Sequence, residues 1–434
     1  MATRIVEGSS VEVIICIDFE WTCEADDIPE EERKVRADQG EIIEFAFVVY
    51  DVEAKQVTCR GQHYCRPQRT PITAFCSKLT GITEEMLDSA GTLQDALLAF
   101  EEALALVRAE DRACCTVAHG SCDLELTLPA NCKALGLTVP SLLRKYVDLR
   151  EAAQEYVTSD GREGLWMGSL RQICAALDVE MVGEEHCGVD DANMVLLATQ
   201  ALLQRNATLR EVNLDLEFEA FMAAPSQSLC LDSFPFVTTG GELRPWLEDV
   251  FSSFAPTFAL LAVFGSNGRP AGRAILELEK AEHAQEALVT FGNGRCFVCR
   301  GKERHVLLRP LRWTETELRS GASLGSCCKP QVTRGSGAWP WPAIVPFPMT
   351  ADDLEVLKRS GSEDPTREET NVRGTIVTWK EDKNFGFIRC GRYEVFAHQN
   401  QVKGVKPREG LLVKLDIKLA KNGKYQAHNV QKAR

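Results

Sequence analysis

Val11-Glu-Val-Ile-Ile-Cys-Ile-Asp-Phe-Glu20 decides how the first half of this chain is read. Residues 11–19 form an apolar, β-rich run, as expected of a central strand buried on both faces. At its far end stand Asp18 and Glu20. Carboxylates at i and i+2 on a strand point to the same face, so this pair can share divalent metal ions. Further along lie Asp123 in Ser121-Cys-Asp-Leu124, and His186 and Asp191 in His186-Cys-Gly-Val-Asp-Asp-Ala192. If these five residues converge, the chain has the parts for cutting phosphodiester bonds. That chemistry needs neutralised phosphate charge, an activated water and a stabilised leaving oxygen. Two hard ions such as Mg²⁺ or Mn²⁺ on carboxylate oxygens supply these, and a histidine titrating near neutrality is the natural base. Each piece alone is weak, because isolated Asp-x-Glu pairs and lone histidines occur widely without catalytic roles.

Outward from this strand, residues 41–50 and 57–64 read as further strands, and residues 92–107 as an amphipathic helix. Residues 114–118 are a short buried strand, and 168–177 and 190–203 read as helices. This order predicts an α/β domain over residues 8–205. A second unit, residues 226–312, reads βαββαβ, the order of an α+β ferredoxin-like fold. Residues 313–370 carry Gly, Ser and Pro without sustained periodicity, including Trp339-Pro-Trp-Pro-Ala-Ile-Val-Pro-Phe-Pro348. They read as a linker, with a partner-binding segment as the alternative. Residues 371–434 show short alternating strands separated by turns at Gly391, Gly404 and Asn422-Gly423, the pattern of a small five-stranded barrel.

The bulk numbers agree with several domains. The chain has 434 residues, 44% of them hydrophobic and 26% charged, and a net charge of −14. The charge is unevenly placed. Residues 371–434 hold 14 Lys and Arg against 5 Asp and Glu, whereas the preceding 370 residues carry −23. A basic tail domain on an acidic body points to nucleic-acid binding by the tail. No secretory signal opens the sequence and no apolar stretch is long enough to span a membrane. The 17 cysteines show no framework spacing, which predicts free thiols and an intracellular setting, cytoplasmic or nuclear. Cys296-x-x-Cys299 sits in a strand-like run, and packing is a better reading of it than zinc binding.

Together, Ile17-Asp-Phe-Glu-Trp-Thr-Cys-Glu24, Glu41-Ile-Ile-Glu-Phe45, Leu79-Thr-Gly-Ile-Thr83, Asp123-Leu with Leu128-Pro-Ala-Asn-Cys-Lys133, and His186-Cys-Gly-Val-Asp-Asp-Ala-Asn193 resemble the DEDDh 3′→5′ exonucleases. Within them they look like the Eri-type branch that includes the histone-mRNA 3′ exonuclease. The resemblance implies an RNase H-like fold and two divalent cations. It assigns Asp18 to both metals, Glu20 to one metal beside the attacking water, Asp123 to the second metal, and His186 as general base. The family spacing of its histidine and last aspartate selects Asp191 over Asp190, leaving Asp190 a structural role. Phe19, Trp21 and Thr22 would border the pocket for the terminal nucleotide. Trp21 departs from the small residue usual there. It either stacks on a base, or fills core space or narrows the pocket.

Gly374-Thr-Ile-Val-Thr-Trp-Lys380, Lys383-Asn-Phe-Gly-Phe-Ile388, Val395-Phe-Ala-His398 and Ala427-His-Asn-Val430 resemble a cold-shock domain, an all-β barrel of the OB type. The resemblance places Trp379, Phe385, Phe387, Phe396 and His398 at base-stacking positions, with Lys380 and Lys383 on phosphates. Gln399 stands where many members carry an aromatic. Leu229-Cys-Leu-Asp-Ser-Phe-Pro-Phe236, Gly268-Arg-Pro-Ala-Gly-Arg-Ala-Ile-Leu-Glu-Leu278 and Ala281-Glu-His-Ala-Gln-Glu-Ala-Leu288 resemble an RNA-recognition motif of the quasi type. Cys230, Arg273 and Ile275 replace the usual aromatics, so contacts through loops to RNA or protein, or a scaffold role, replace ordinary sheet binding. The expectation is a metal-dependent 3′→5′ exoribonuclease that trims single-stranded RNA 3′ ends or overhangs held by the basic barrel. A protein partner on the middle domain or the Pro-rich linker is a further expectation. The rivals are a DNA exonuclease and a non-catalytic RNA-binding adaptor.

Overall fold

The computed structural model describes residues 4–5, 9–159, 167–235, 238–264, 270–292, 294–312, 343–346, 368–380, 383–390, 393–420 and 425–433. Its first body is built on a six-stranded sheet. β1 (Val13–Trp21), β2 (Ile42–Asp51) and β3 (Gln56–Tyr64) are antiparallel neighbours. β4 (Cys114–Ala118) runs parallel to β1, β5 (Lys145–Asp148) parallel to β4, and β6 (Glu211–Asn213) closes the edge, giving the order β3-β2-β1-β4-β5-β6.

β1 is central and both of its faces are covered. Ile14 and Cys16 pack with α5 (Leu149–Ser159), α6 (Leu170–Ala176) and α7 (Gly188–Gln204). Val13, Ile15, Ile17 and Phe19 pack on the opposite side with Phe45, Phe47 and the apolar stripe of α3 (Leu93–Leu106). Two short helices, α1 (Ala74–Thr80) and α2 (Glu84–Asp88), precede α3, which Thr92 caps in a reciprocal capping box with Asp95. Strict alternation then carries Asp18 and Glu20 onto the α7 face. A one-residue slip of β1 against β2 would turn both carboxylates toward α3. The sequence reading missed β5 and α5, and also α4 (Leu128–Leu135), which follows a π-helical turn at Cys122–Thr127.

After α8 (Leu214–Ala223) comes β7 (Ser228–Asp232), followed by α9 (Gly240–Val250), β8 (Phe258–Phe264), β9 (Pro270–Leu278), α10 (Ala281–Phe291), β10 (Arg295–Cys299) and β11 (Lys302–Pro310). The sheet order is β10-β11-β7-β9-β8, with a final edge strand β12 (Ala343–Pro346) paired antiparallel to β8. β12 corrects the linker expectation: part of the Pro-rich stretch is a strand. The rest of that linker, 313–342 and 347–367, lies outside the described residues, as do Gly391 and Asn422-Gly423. Leu229, Leu231, Leu276 and Phe291 form the core beneath α9 and α10.

The last body is a closed five-stranded barrel. Its strands are β13 (Glu369–Lys380), β14 (Phe385–Cys390), β15 (Tyr393–His398), β16 (Leu412–Leu419) and β17 (Tyr425–Lys432). β13 pairs with both β14 and β16, and a parallel contact of Phe396 with Gln426 closes the barrel in the order β13-β14-β15-β17-β16. Ile376, Ile388, Val395, Val413 and Ile417 fill it.

The three bodies touch. Leu412 packs against the α5–α7 core, Arg408 donates to the Val179 carbonyl at 3.5 Å, and Lys432 pairs with Asp178. The middle domain meets the first through ion pairs: Arg304 with Asp26 at 2.6 Å, Arg33 with Glu303 at 3.2 Å, and Arg273 with Glu151 at 2.6 Å. Among the described residues all cysteines are free, and no helix is long and apolar enough to cross a membrane.

Candidate active site

β4 ends beside Ile17 of β1, which pairs with Ala118, and β1 runs on through Asp18 and Glu20. The crevice beyond the carboxyl ends of parallel strands is where open α/β sheets place their ligands. Asp18 and Glu20 reach it from β1. Asp123 reaches it from the π-helical turn after β4, its carboxylate accepting the Phe19 amide. α7 brings Asp191 within its first turn. Among the described residues, one cluster places three ligand-type side chains within reach of a single ion. It comprises Glu20, His186 and Asp191, whose ligand atoms lie within 4.8 Å of one another.

Burial and mutual repulsion dominate the electrostatics. Burial pushes Asp18 well above the usual carboxylate range, and Asp123, Glu20, Asp191 and Glu44 add to the effect. Glu20 is raised to about 9 by burial, then by Glu44, Asp191 and Asp123. Asp123 rises to about 7 by burial, although the Phe19 amide and Arg150 pull it down. Asp191 is raised by burial and partly relieved by the His186 amide. Such crowding favours a bound cation. The donors are hard oxygens with one imidazole beside them, which fits Mg²⁺ or Mn²⁺.

The segment before α7 is held tightly. His186 adopts a left-handed backbone, φ +63°, uncommon for a residue with a side chain. Its amide donates to Asp191 Oδ2 at 3.0 Å. Asp190 accepts the Glu184 amide at 2.9 Å, which gives it a part in shaping the turn. Glu44 is the residue that the sequence reading passed over. It is 1% exposed and sits directly across the β1–β2 ladder from Glu20. Its Oε2 accepts the Gly188 amide at 3.2 Å, and its Oε1 accepts from Gln62 at 2.9 Å. A Cβ on Gly188 would lie 3.1 Å from the Glu44 carboxyl carbon, so glycine permits this approach.

The expected nucleotide pocket needs correcting. The Phe19 ring is buried and stacked on Phe45 with centroids 4.6 Å apart, so only its amide serves the site. Thr22 is 1% exposed; its hydroxyl lies 2.7 Å from that of Thr70 and accepts the Glu41 amide at 2.9 Å. Neither side chain is free to meet a base. Trp21 is half-buried against the α3-side core and lies over Gly40, where a Cβ would come within 2.7 Å of it. This is the space-filling alternative.

The barrel carries an aromatic cluster. Phe385 and Phe396 have centroids 5.5 Å apart, and Phe387 lies 6.0 Å from Phe396. Phe387 is 36% exposed. Lys380 stands over the Phe385 ring at 5.8 Å, and Lys383 and His398 are exposed. Trp379 is instead partly buried against the barrel core. In the middle domain, Cys230 and Ile275 are fully buried, and Arg273 is ion-paired to Glu151 and Asp232. These three positions, where the resemblance expects base-stacking rings, are therefore closed. Cys296 Sγ donates to Glu303 at 2.6 Å, and Cys299 is buried.

Comparison with known proteins finds similarity in the first domain. Residues 15–199 match the exonuclease family model RNase_T. The chain is 30% identical over 206 residues to ERI1 exoribonuclease 2 of Danio rerio, covering 44% of this chain and 35% of that protein. It is 27% identical over 229 residues to 3′-5′ exoribonuclease 1 of Homo sapiens, covering 52% and 62%. The match thus spans about one to two thirds of these relatives' length. Among solved structures, the nuclease domain of 3′hExo, a DEDDh family member bound to rAMP, is 26% identical with a TM-score of 0.41, covering 48% of this chain and 98% of that one. Residues 15–199 thus match an exonuclease family model and are similar to ERI1-type 3′→5′ exoribonucleases.

Proposed function

We propose that the chain is a metal-dependent 3′→5′ exoribonuclease whose barrel holds the single-stranded RNA being trimmed. The observation that carries the reading is the Glu20–His186–Asp191 cluster within 4.8 Å at the end of β1, with Asp18 beside it. Asp18, Glu20, Asp123 and Asp191 would hold two divalent ions, Mg²⁺ or Mn²⁺, which when bound offset phosphate charge and lower the pKa of water. His186, exposed at the mouth of the site, takes the proton from the attacking water. The water oxygen forms a new bond to the terminal phosphorus, the P–O3′ bond breaks with its electron pair passing to O3′, which takes a proton from solvent on the shortened RNA, and a nucleoside 5′-monophosphate leaves. Asp191 fixes the His186 backbone, so the imidazole is presented in one orientation.

The basic barrel supports RNA as substrate. Phe385, Phe387 and Phe396 offer rings to bases, and Lys380 and Lys383 offer charge to phosphates. Its resemblance to a cold-shock domain, and that of the βαββαβ middle domain to an RNA-recognition motif, belong to the same proposal. With its sheet face closed, the middle domain acts as a brace rather than as an RNA-binding sheet. Tethering by the barrel raises the local concentration of 3′ ends at the acidic crevice.

The test is digestion of matched 5′-labelled RNA and DNA oligonucleotides with Mg²⁺ or Mn²⁺, wild type beside Asp18→Ala. The expected result is a ladder shortening from the 3′ end, faster on RNA and absent in the variant. Faster digestion of DNA would favour the DNA exonuclease, and no digestion by wild type would favour the binding adaptor.

A further inference from the structure

Asp123 stands on a π-helical turn, Cys122–Thr127, in which the Leu128 amide reaches back to the Asp123 carbonyl. Such turns carry an extra residue relative to an α-helix, occur often at functional sites, and depend on outside contacts to persist. Several contacts on this turn come from the middle domain. Ser233, just after β7, lies 3.5 Å from Cys122 Sγ. Gly294, just before β10, sits so close to Leu126 that a Cβ there would come within 2.8 Å of it. Arg312, just after β11, reaches Glu125 at 2.7 Å with Nη1, and Nε and Nη2 grip both oxygens of Glu217 on α8 at 3.1 and 3.0 Å. The Arg312 and Glu125 side chains are each 6% exposed. Tyr146 of β5 donates to the same Glu125 carboxylate. From within the first domain, Arg150 donates to Ser121 Oγ at 3.3 Å.

We propose that Arg312 is a positioning residue for Asp123, and that the middle domain is thereby a structural part of the nuclease site. The inference rests on the metal-dependent reading above. Arg312 supplies the charge that lets Glu125 lie buried two residues from a carboxylate that must face an ion. Without it, the buried Glu125 and the half-buried Glu217 lose a shared cation, and an uncompensated buried charge is not retained in place. The turn must then rearrange, and Asp123 moves with it. Arginine is required because its fork serves two carboxylates at once; a lysine point charge can serve only one of them well.

The test uses the full chain carrying Arg312→Ala or Arg312→Lys. Mn²⁺ binding is measured by calorimetry, backbone exchange over residues 121–128 by deuterium uptake, and kcat and KM by RNA digestion. Groups that orient metal ligands typically change metal affinity by about 10–100-fold. Arg312→Ala is expected to weaken Mn²⁺ binding by roughly tenfold or more, to speed exchange in the turn, and to lower kcat with KM for RNA unchanged. Arg312→Lys should recover part of each. If Arg312→Ala does not fold, Arg312→Lys decides alone through the same three readouts. A folded variant with wild-type Mn²⁺ affinity and exchange overturns the inference while leaving the exonuclease reading intact. Wild type that neither binds Mn²⁺ nor shortens RNA overturns both.

Discussion

Glu44 and Gly188 are joined by a 3.2 Å hydrogen bond from the helix amide to the buried carboxylate. The bond ties the middle of β2 to the first residue of α7, three residues before Asp191 and two after His186. A carboxylate at a helix amino terminus accepts free amides and opposes the positive end of the dipole. Here it does so beside four other carboxylates, so its position costs electrostatic energy that the amides of Gly188 and Val189 help to offset.

Glu44→Ala removes this anchor and leaves buried amides unpaired. It should destabilise the chain by about 1–2 kcal/mol and slow RNA digestion, because His186 and Asp191 lose their fixed approach. Glu44→Gln keeps an acceptor and should be the milder change. Thermal melts and initial rates check this, and a Glu44→Ala protein as stable and active as wild type would refute it.

Asp18 contributes repulsion to the metal-free protein and attraction to the metal-bound one. Asp18→Asn should raise the melting temperature measured in chelator and remove most of the rise on adding Mn²⁺. Ligand at a hundred times its Kd stabilises a site by about 2.7 kcal/mol. A variant whose melting temperature still climbs with Mn²⁺ as in wild type would show that Asp18 is not a ligand.

Asp26 links the first domain to the β10–β11 hairpin. Arg304, and then Lys302, hold its carboxyl down to about 2. The folded value lies below the unfolded one, so this contribution is complete above about pH 4. It fades as pH falls through the folded value. Asp26→Asn should therefore melt about 2–4 °C lower at neutral pH if the pair contributes ~1 kcal/mol. The two proteins should converge as pH approaches 2. A difference that persists or widens in acid would contradict the assignment.

Phe387 is the exposed ring of the barrel cluster. Phe387→Ala should weaken single-stranded RNA binding by roughly 1–3 kcal/mol, about fivefold to over a hundredfold in Kd. Digestion of short oligonucleotides should be spared. Equal affinity in a filter-binding or anisotropy titration would move the RNA path off this face.

The site was legible where local pattern decides position. The alternation through Ile14, Cys16, Asp18 and Glu20 put both carboxylates on one face. His186 and Asp191 came from the family resemblance, and the structure joins them through the His186 amide. Glu44 was visible too, as the second acidic residue of Glu41-Ile-Ile-Glu44 inside a strand buried on both faces. A charge there is expensive without a task, and that cost was the overlooked signal. Arg273, Arg309 and Arg312 gave no such sign. Their partners Glu151, Asp232, Glu125 and Glu217 lie 41 to 187 residues away, and long-range ion pairing leaves no local period. Strand β12 was hidden by its prolines, which suppress a strand reading although an edge position tolerates them.

That edge strand has a practical consequence. Ala343–Pro346 covers the hydrogen-bonding groups of Leu261, Ala262, Val263 and Phe264 on β8. A fragment ending at residue 312 would expose them as a bare ribbon of amides and carbonyls between apolar side chains, a template for joining another copy. Such a fragment is expected to self-associate as its concentration rises, whereas a chain extended through residue 346 carries its own cover and should stay dispersed.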